Sequence, residues 1–109
     1  AKNEDEENSR MELIDEAEDY YEESLATAED QENIIGVIFA FSGLIKVIVL
    51  SGHYEKCERV FLMIKEKASG INKAPDFAKD ALKAAAAMLS ENTDAYDKDV
   101  KKIYKMMNK

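Results

Sequence analysis

Apolar residues recur at helical spacing along most of this chain, and one stretch departs from that pattern. From Ile34 to Leu50, IIGVIFAFSGLIKVIVL, only Ser42 and Lys46 are strongly polar. A membrane-spanning helix needs about 20 apolar residues; this run is shorter, carries Lys46 and follows the polar stretch Glu29-Asp30-Gln31-Glu32-Asn33. A buried pair of strands suits the many Val and Ile residues, but so long a run lacks a Pro or a turn pair to divide it. The favoured reading is a helix over about 33–51, buried nearly all round in the centre of a bundle. Within it Gly36, Ala40 and Gly43 fall at i, i+4 and i+7 and form one smooth stripe. Glycine in a helix costs roughly 1 kcal/mol relative to Ala, so two of them imply close packing. The stripe meets either a neighbouring helix of the same chain or a partner helix or ligand.

The flanking segments are amphipathic. Ser9-Arg10-Met11-Glu12 fits a capping box, and a first helix runs from there to about Ala28. Leu13, Ala17, Tyr20, Tyr21, Ser24, Leu25 and Ala28 form its expected inner face. Asp30 or Asn33 caps the central helix, and Gly52 closes it in the left-handed conformation. Tyr54, Cys57, Phe61, Ile64 and Ala68 step by three and four and define a helix over about 53–68, stopped by Ser69-Gly70. So short a link makes this helix and the central one an antiparallel hairpin. Ile71–Ala74 leads to Pro75, suited to a first helical turn. Phe77, Ala81, Ala85, Met88 and Leu89 mark a further helix. Ser90–Asp94 reads as a break with Thr93 as the next cap, yet Tyr96, Val100, Ile103 and Met107 keep the same phase. Periodicity therefore allows one long helix or two. The fold class is all-α: a compact bundle of four to five helices forming a single domain over 9–109, preceded by an acidic flexible tail over 1–8.

Composition narrows the choice without changing it. One Pro and four Gly disfavour a turn-rich β-sandwich. Cys57 is alone, so the chain forms no internal disulfide and no Cys-based zinc site; a lone Cys also leans towards a reducing, intracellular setting. The chain begins Ala1-Lys2-Asn3, as a processed or excised chain does, and no signal peptide is legible in it, which leaves export open.

The net charge of −8 hides a segregation. Residues 1–32 hold fourteen acids and two bases, a net of −12; residues 33–109 hold nine acids and thirteen bases, a net of +4. Asp15, Glu16, Glu18, Asp19, Glu22 and Glu23 crowd the outer side of the first helix. Like charges at i, i+4 destabilise an isolated helix by a few tenths of a kcal/mol per pair. Such a face is either solvated and partly neutralised by the chain's own lysines or it meets a basic partner. Lys98, Lys101, Lys102, Lys105 and Lys109 give the C-terminal helix a basic face, the expected intramolecular counterpart. Direct nucleic-acid binding is not expected of so acidic a chain, nor is a membrane partner.

Catalytic and metal motifs fail on residue type and spacing. A di-iron bundle needs Glu-x-x-His pairs; the sole histidine, His53, has Leu50 three residues before it. Asp94, Asp97 and Asp99 lack the central Gly and closing Glu of a calcium loop. His53 and Cys57 lie at i, i+4, a spacing that nucleophilic catalysis can use, but Cys57 belongs to an apolar stripe, where a small inert core residue is the common case. No phosphate loop, Gly-x-Ser-x-Gly turn or dinucleotide fingerprint occurs.

Phe41, Leu44, Gly52, Tyr54, Cys57 and Phe61 stand at offsets that resemble part of a tetratricopeptide unit. The resemblance covers roughly residues 41–61. It departs at Ile45, Ile64 and Ser69, where that family has Gly, Ala and Pro, and no second copy stands 34 residues away. The segment is read as a hairpin that packs like such a unit; full membership would imply helix or peptide binding in a concave groove.

The function expected from these features is a non-enzymatic helical protein–protein interaction module, of adaptor, chaperone-like or scaffold type, without catalytic residues, cofactor or metal. Its partner is another protein or a second copy of itself. One alternative is a small acidic inhibitor of immunity type, or a nucleic-acid mimic, that covers a basic surface. Another is an apolar-ligand or membrane-surface binder whose cavity is lined by Ile34–Leu50 and by Met63, Met88, Met106 and Met107.

Overall fold

The computed structural model describes the backbone of residues 2–108 and the side chains of residue 6 and residues 8–108. Among the described residues the chain is all-helical: α1 (Lys2–Asp30), α2 (Ile34–Ser51), a 3-10 turn (Tyr54–Lys56), α3 (Cys57–Glu66), α4 (Ala68–Asn72), α5 (Asp76–Asn92) and α6 (Asp97–Met107). Ala1 and Lys109 lie outside the described residues, and with them the first residue of the tail expected over 1–8.

α2 forms the centre because it is apolar over most of its circumference; it is not buried all round as expected, since Phe39, Lys46 and Leu50 are exposed along one line. Eleven of its residues are buried, among them Ile38, Phe41 and Ile45 with no exposed surface. Burying each such side chain stabilises the fold by about 1.5–3 kcal/mol. α2 is long and apolar enough to cross a membrane, yet most of it is buried inside the protein, as in the core helix of a globular fold. Its one buried polar side chain is satisfied locally, the Ser42 hydroxyl donating to the Ile38 carbonyl at 2.9 Å.

The ends of α2 follow the expected signals. The Asn33 Oδ1 accepts from the Gly36 amide at 3.1 Å. Gly52, at φ 77°, donates its amide to the carbonyls of Ile48 and Val49. The α1–α2 turn closes by a Schellman arrangement: Asn33 N–H donates to Ala28 O at 2.8 Å and Glu32 N–H to Glu29 O at 3.1 Å. That motif places Glu32 at φ 53°, a left-handed conformation usually reserved for glycine.

α1, α2 and α5 form one layer with α2 in the middle, where it makes its most extensive contacts. α3, α4 and α6 cover one side of that layer. α3 runs antiparallel to α2 and parallel to α1, since Lys56 and Arg59 of the 3-10 turn and α3 follow Glu18 and Glu22 of α1 in the same order.

Several boundaries and faces differ from the sequence reading. α1 begins at Lys2, so Ser9 and Glu12 lie inside a continuous helix and form no cap. Leu13 and Tyr20, expected inside, are exposed, and Ile14 takes the buried position. Helix formation runs through Ser69 and Gly70: α3 ends at Glu66, Lys67 adopts φ −98° and ψ 9°, and α4 continues to Asn72. Ile71, assigned to a link, is fully buried and anchors α4 in the core. Pro75 stands just before α5 as its N-cap, at φ −60° and ψ 152°. On α5 the buried residues are Ala78, Leu82, Ala85, Ala86 and Leu89, whereas Phe77 is exposed. α5 and α6 are separate helices, broken at Thr93 in an extended conformation, with its Oγ1 accepting from the Ala95 amide at 3.3 Å.

Candidate interaction surfaces

The small-residue stripe lies against α1. A Cβ on Gly43 would overlap the ring of Tyr21, and one on Gly36 would come within 3.1 Å of the Ala28 Cβ. Ala40 between them is buried. α1 thus occupies the stripe within the chain.

The acidic face divides in two. Glu18 receives both carboxylate contacts from the Lys56 ammonium, at 3.0 and 2.9 Å, and Glu22 lies 3.9 Å from Arg59. The hydrogen bond to Glu18 raises the Lys56 pKa despite opposing desolvation, and the charges of Glu18, Asp15 and Glu22 add to the shift. Asp15, Glu16, Asp19 and Glu23 point to solvent, with no cation within 4.0 Å among the described residues. The cations that meet the acidic face of α1 therefore come from the 3-10 turn and α3, not from the basic face of α6. α6 packs on α5 and α4, where the Tyr104 hydroxyl donates to Lys83 O at 3.3 Å. Lys98, Lys101, Lys102 and Lys105 remain exposed.

Two grooves flank α3. One, of about 520 Å³, lies between α3 and α6, with Phe61, Ile64, Ile103 and Met106 in its walls. The Phe61 ring also stands 5.8 Å from that of Tyr96. The other, of about 380 Å³, lies between α1 and α3 over Leu44 and Ile48, and Met63 lines it. The methionines expected to share one cavity are thus dispersed, and Met107 belongs to the core.

Among the described residues no helix covers the side of the α1–α2–α5 layer away from α3. Phe41 and Phe39 are two residues apart, about 200° round the helix; Phe41 is fully buried and Phe39 is 44% exposed. Phe39, Lys46 and Leu50 fall on this outer line of α2, at i, i+7 and i+11, and all three are exposed. Phe77 of α5 joins it, its ring centroid 6.3 Å from that of Phe39. At the other end Leu13 of α1 and Leu50 line an apolar hollow of about 250 Å³ with Ile14, Ala17, Val47 and Arg10. Helical spacing sets Tyr20 of α1 on the same flank as Leu13. Of the seven large apolar residues that the described fold leaves exposed, these five (Leu13, Tyr20, Phe39, Leu50 and Phe77) share this one side. The sequence reading missed the surface, because it placed Leu13, Tyr20 and Phe77 inside.

His53 and Cys57 stand in different environments. His53 is exposed, with Nδ1 3.5 Å from the Glu55 carboxylate. Cys57 is fully buried, and burial, aided by the charge of Glu55, pushes its thiol up to about 11. Full burial and a raised pKa suit the thiol to packing and oppose the thiolate that a nucleophile needs.

No protein-family model, no curated protein and no solved structure matches the chain.

Proposed function

We propose that this chain is a non-enzymatic helical protein–protein interaction module that docks its partner on the open side of the α1–α2–α5 layer. The observation that carries the reading is the grouping of Leu13, Phe39, Leu50 and Phe77 on that side, at exposures of 65, 44, 54 and 61%. Large apolar residues scattered singly over a surface need no explanation, whereas a contiguous set marks an interaction site. Aromatic anchors with surrounding aliphatic side chains are also the composition of interface centres.

The test is a photo-crosslinking residue placed at Phe39 in one variant and at Leu50 in another, with Glu66 on α3 as the control position. In extracts of the source cells the reading expects the same adduct from positions 39 and 50, none from 66, and its loss when Phe77→Asp is added. A monomeric protein with no adduct from either position overturns it.

A second reading is supported by α1. Asp15, Glu16, Asp19 and Glu23 form an exposed acidic strip with no cation paired to it among the described residues, as an inhibitor that covers a basic surface requires. It predicts association that slows steeply with added salt, and loss of binding when those four are neutralised together.

A further inference from the structure

This inference rests on the open side of the α1–α2–α5 layer being a docking surface, and it concerns what occupies that surface. The charges there are sorted. Cations stand within the apolar area: Lys46 on the outer line of α2 between Phe39 and Leu50, and Arg10 bordering the hollow that Leu13 and Leu50 line. Both are exposed, and neither has a carboxylate within 4.0 Å among the described residues. The acids stand at the edges. Helical spacing sets Glu16 and Glu23 beyond Tyr20 on α1, and Asp80 and Glu91 beyond Phe77 on α5; all four are exposed.

A partner that covers this area removes water from Lys46, and an ammonium left without an anion there opposes binding. The occupant must therefore bring an acid into its apolar contact and present bases outside it. A second copy fails this requirement: it carries the same acidic edges and the same central Lys46, at a net charge of −8 on each chain. An anionic lipid surface suits Lys46 but is repelled by both edges. The shape is long and narrow, one helix line bordered by two others, which is the bed an amphipathic helix fills. From Phe39 to Leu50 it runs about 16 Å, or about three turns.

We infer that the occupant is an amphipathic helix of a partner protein. Its apolar stripe carries one acidic residue that meets Lys46, and lysines or arginines line both flanks against Glu16, Glu23, Asp80 and Glu91.

Two synthetic peptides of about 18 residues, long enough to cover the bed, test this on the full chain by fluorescence anisotropy. They share a leucine stripe and Lys/Arg flanks and differ at one central stripe position, Glu in one and Lys in the other. The Glu peptide is expected to bind at least about tenfold more tightly. Lys46→Glu should reverse the preference, and Phe39→Asp with Leu50→Asp should abolish binding of both while the circular dichroism stays helical. Phe39→Ser with Leu50→Ser serves as the milder pair. Equal binding of the two peptides, a preference that Lys46→Glu leaves unchanged, or binding retained by the Phe39/Leu50 variants overturns the inference. So does binding to phosphatidylcholine–phosphatidylglycerol vesicles in place of the peptides. A crosslinked adduct at Phe39 in cell extracts, with neither peptide binding, overturns the helix chemistry and leaves the docking reading standing.

Discussion

The ring of Tyr21 lies directly over Gly43, and this contact needs the absence of a side chain on α2 where α1 crosses it. A Cβ on Gly43 would overlap three carbons of the ring. Gly43→Ala should therefore destabilise the protein by about 1–3 kcal/mol through overpacking, less roughly 1 kcal/mol regained in helix propensity. Combining it with Tyr21→Ala should cost less than the sum of the two single changes. Urea unfolding of the four proteins in the cycle measures this coupling; additive losses would mean that the ring moves aside freely.

Glu32 holds a left-handed backbone in the α1–α2 turn, at φ 53°. A residue with a Cβ loses roughly 1–2 kcal/mol in that conformation, and glycine gives back about 0.5–1 kcal/mol through its freer unfolded chain. Glu32→Gly should then stabilise the fold by about 0.5–1 kcal/mol, read as a higher urea midpoint at unchanged slope. Glu32→Val should lower it.

Cys57 sets a limit on alkaline stability. Its thiol is raised from about 9 to about 11 by burial and by Glu55. Between those values the unfolded chain has lost the proton and the folded chain keeps it, so stability falls as pH rises through the window. The expected loss is about 2–3 kcal/mol, and Cys57→Ala should flatten that part of the pH–stability curve. Below pH 8 a thiol reagent should label Cys57 only at the rate at which the protein opens.

The Glu18–Lys56 pair acts in the same direction through a different group. The raised pKa of Lys56 means that the pair's stabilisation is fully present below the ordinary lysine value and is lost as pH rises through the folded one. Lys56 is substantially exposed, so the pair should contribute only about 0.2–1 kcal/mol. A double-mutant cycle with Glu18→Gln and Lys56→Met, in low and then in 1 M salt, should show a coupling that salt reduces. A coupling unaffected by salt would argue for side-chain packing instead.

The local signals were legible because each acts over a few residues. Asn33 and Gly52 cap α2 through bonds to neighbours three or four positions away, and such geometry is written in the residue type. The break at Thr93 was legible as a possibility only, since Val100, Ile103 and Met107 keep the phase of α5 whether or not the helix is interrupted. Ser9 misled because a capping box describes a local preference, and nothing local prevents the helix from beginning earlier. The acidic face could be seen in the chain, but its division into Glu18 and Glu22, paired with the 3-10 turn and α3, and Asp15, Glu16, Asp19 and Glu23, without a cation among the described residues, depends on where those two elements lie.

The chain by itself determined that the fold is helical and that the Ile34–Leu50 run is its centre, because a helix so apolar must bury most of its surface. It did not determine which flank of each outer helix turns inward. α1 and α5 carry apolar arcs wider than the contact each makes, so hydrophobicity alone cannot choose between Leu13 and Ile14, or between Phe77 and Ala78. The tertiary structure chooses by closeness of approach. Small residues at Gly43, Ala78, Ala85 and Ala86 let the backbones come together, and the bulky Leu13, Tyr20 and Phe77 are left on the outside. The open apolar side of the α1–α2–α5 layer is thus a property of how three helices meet, which no single stretch of sequence contains.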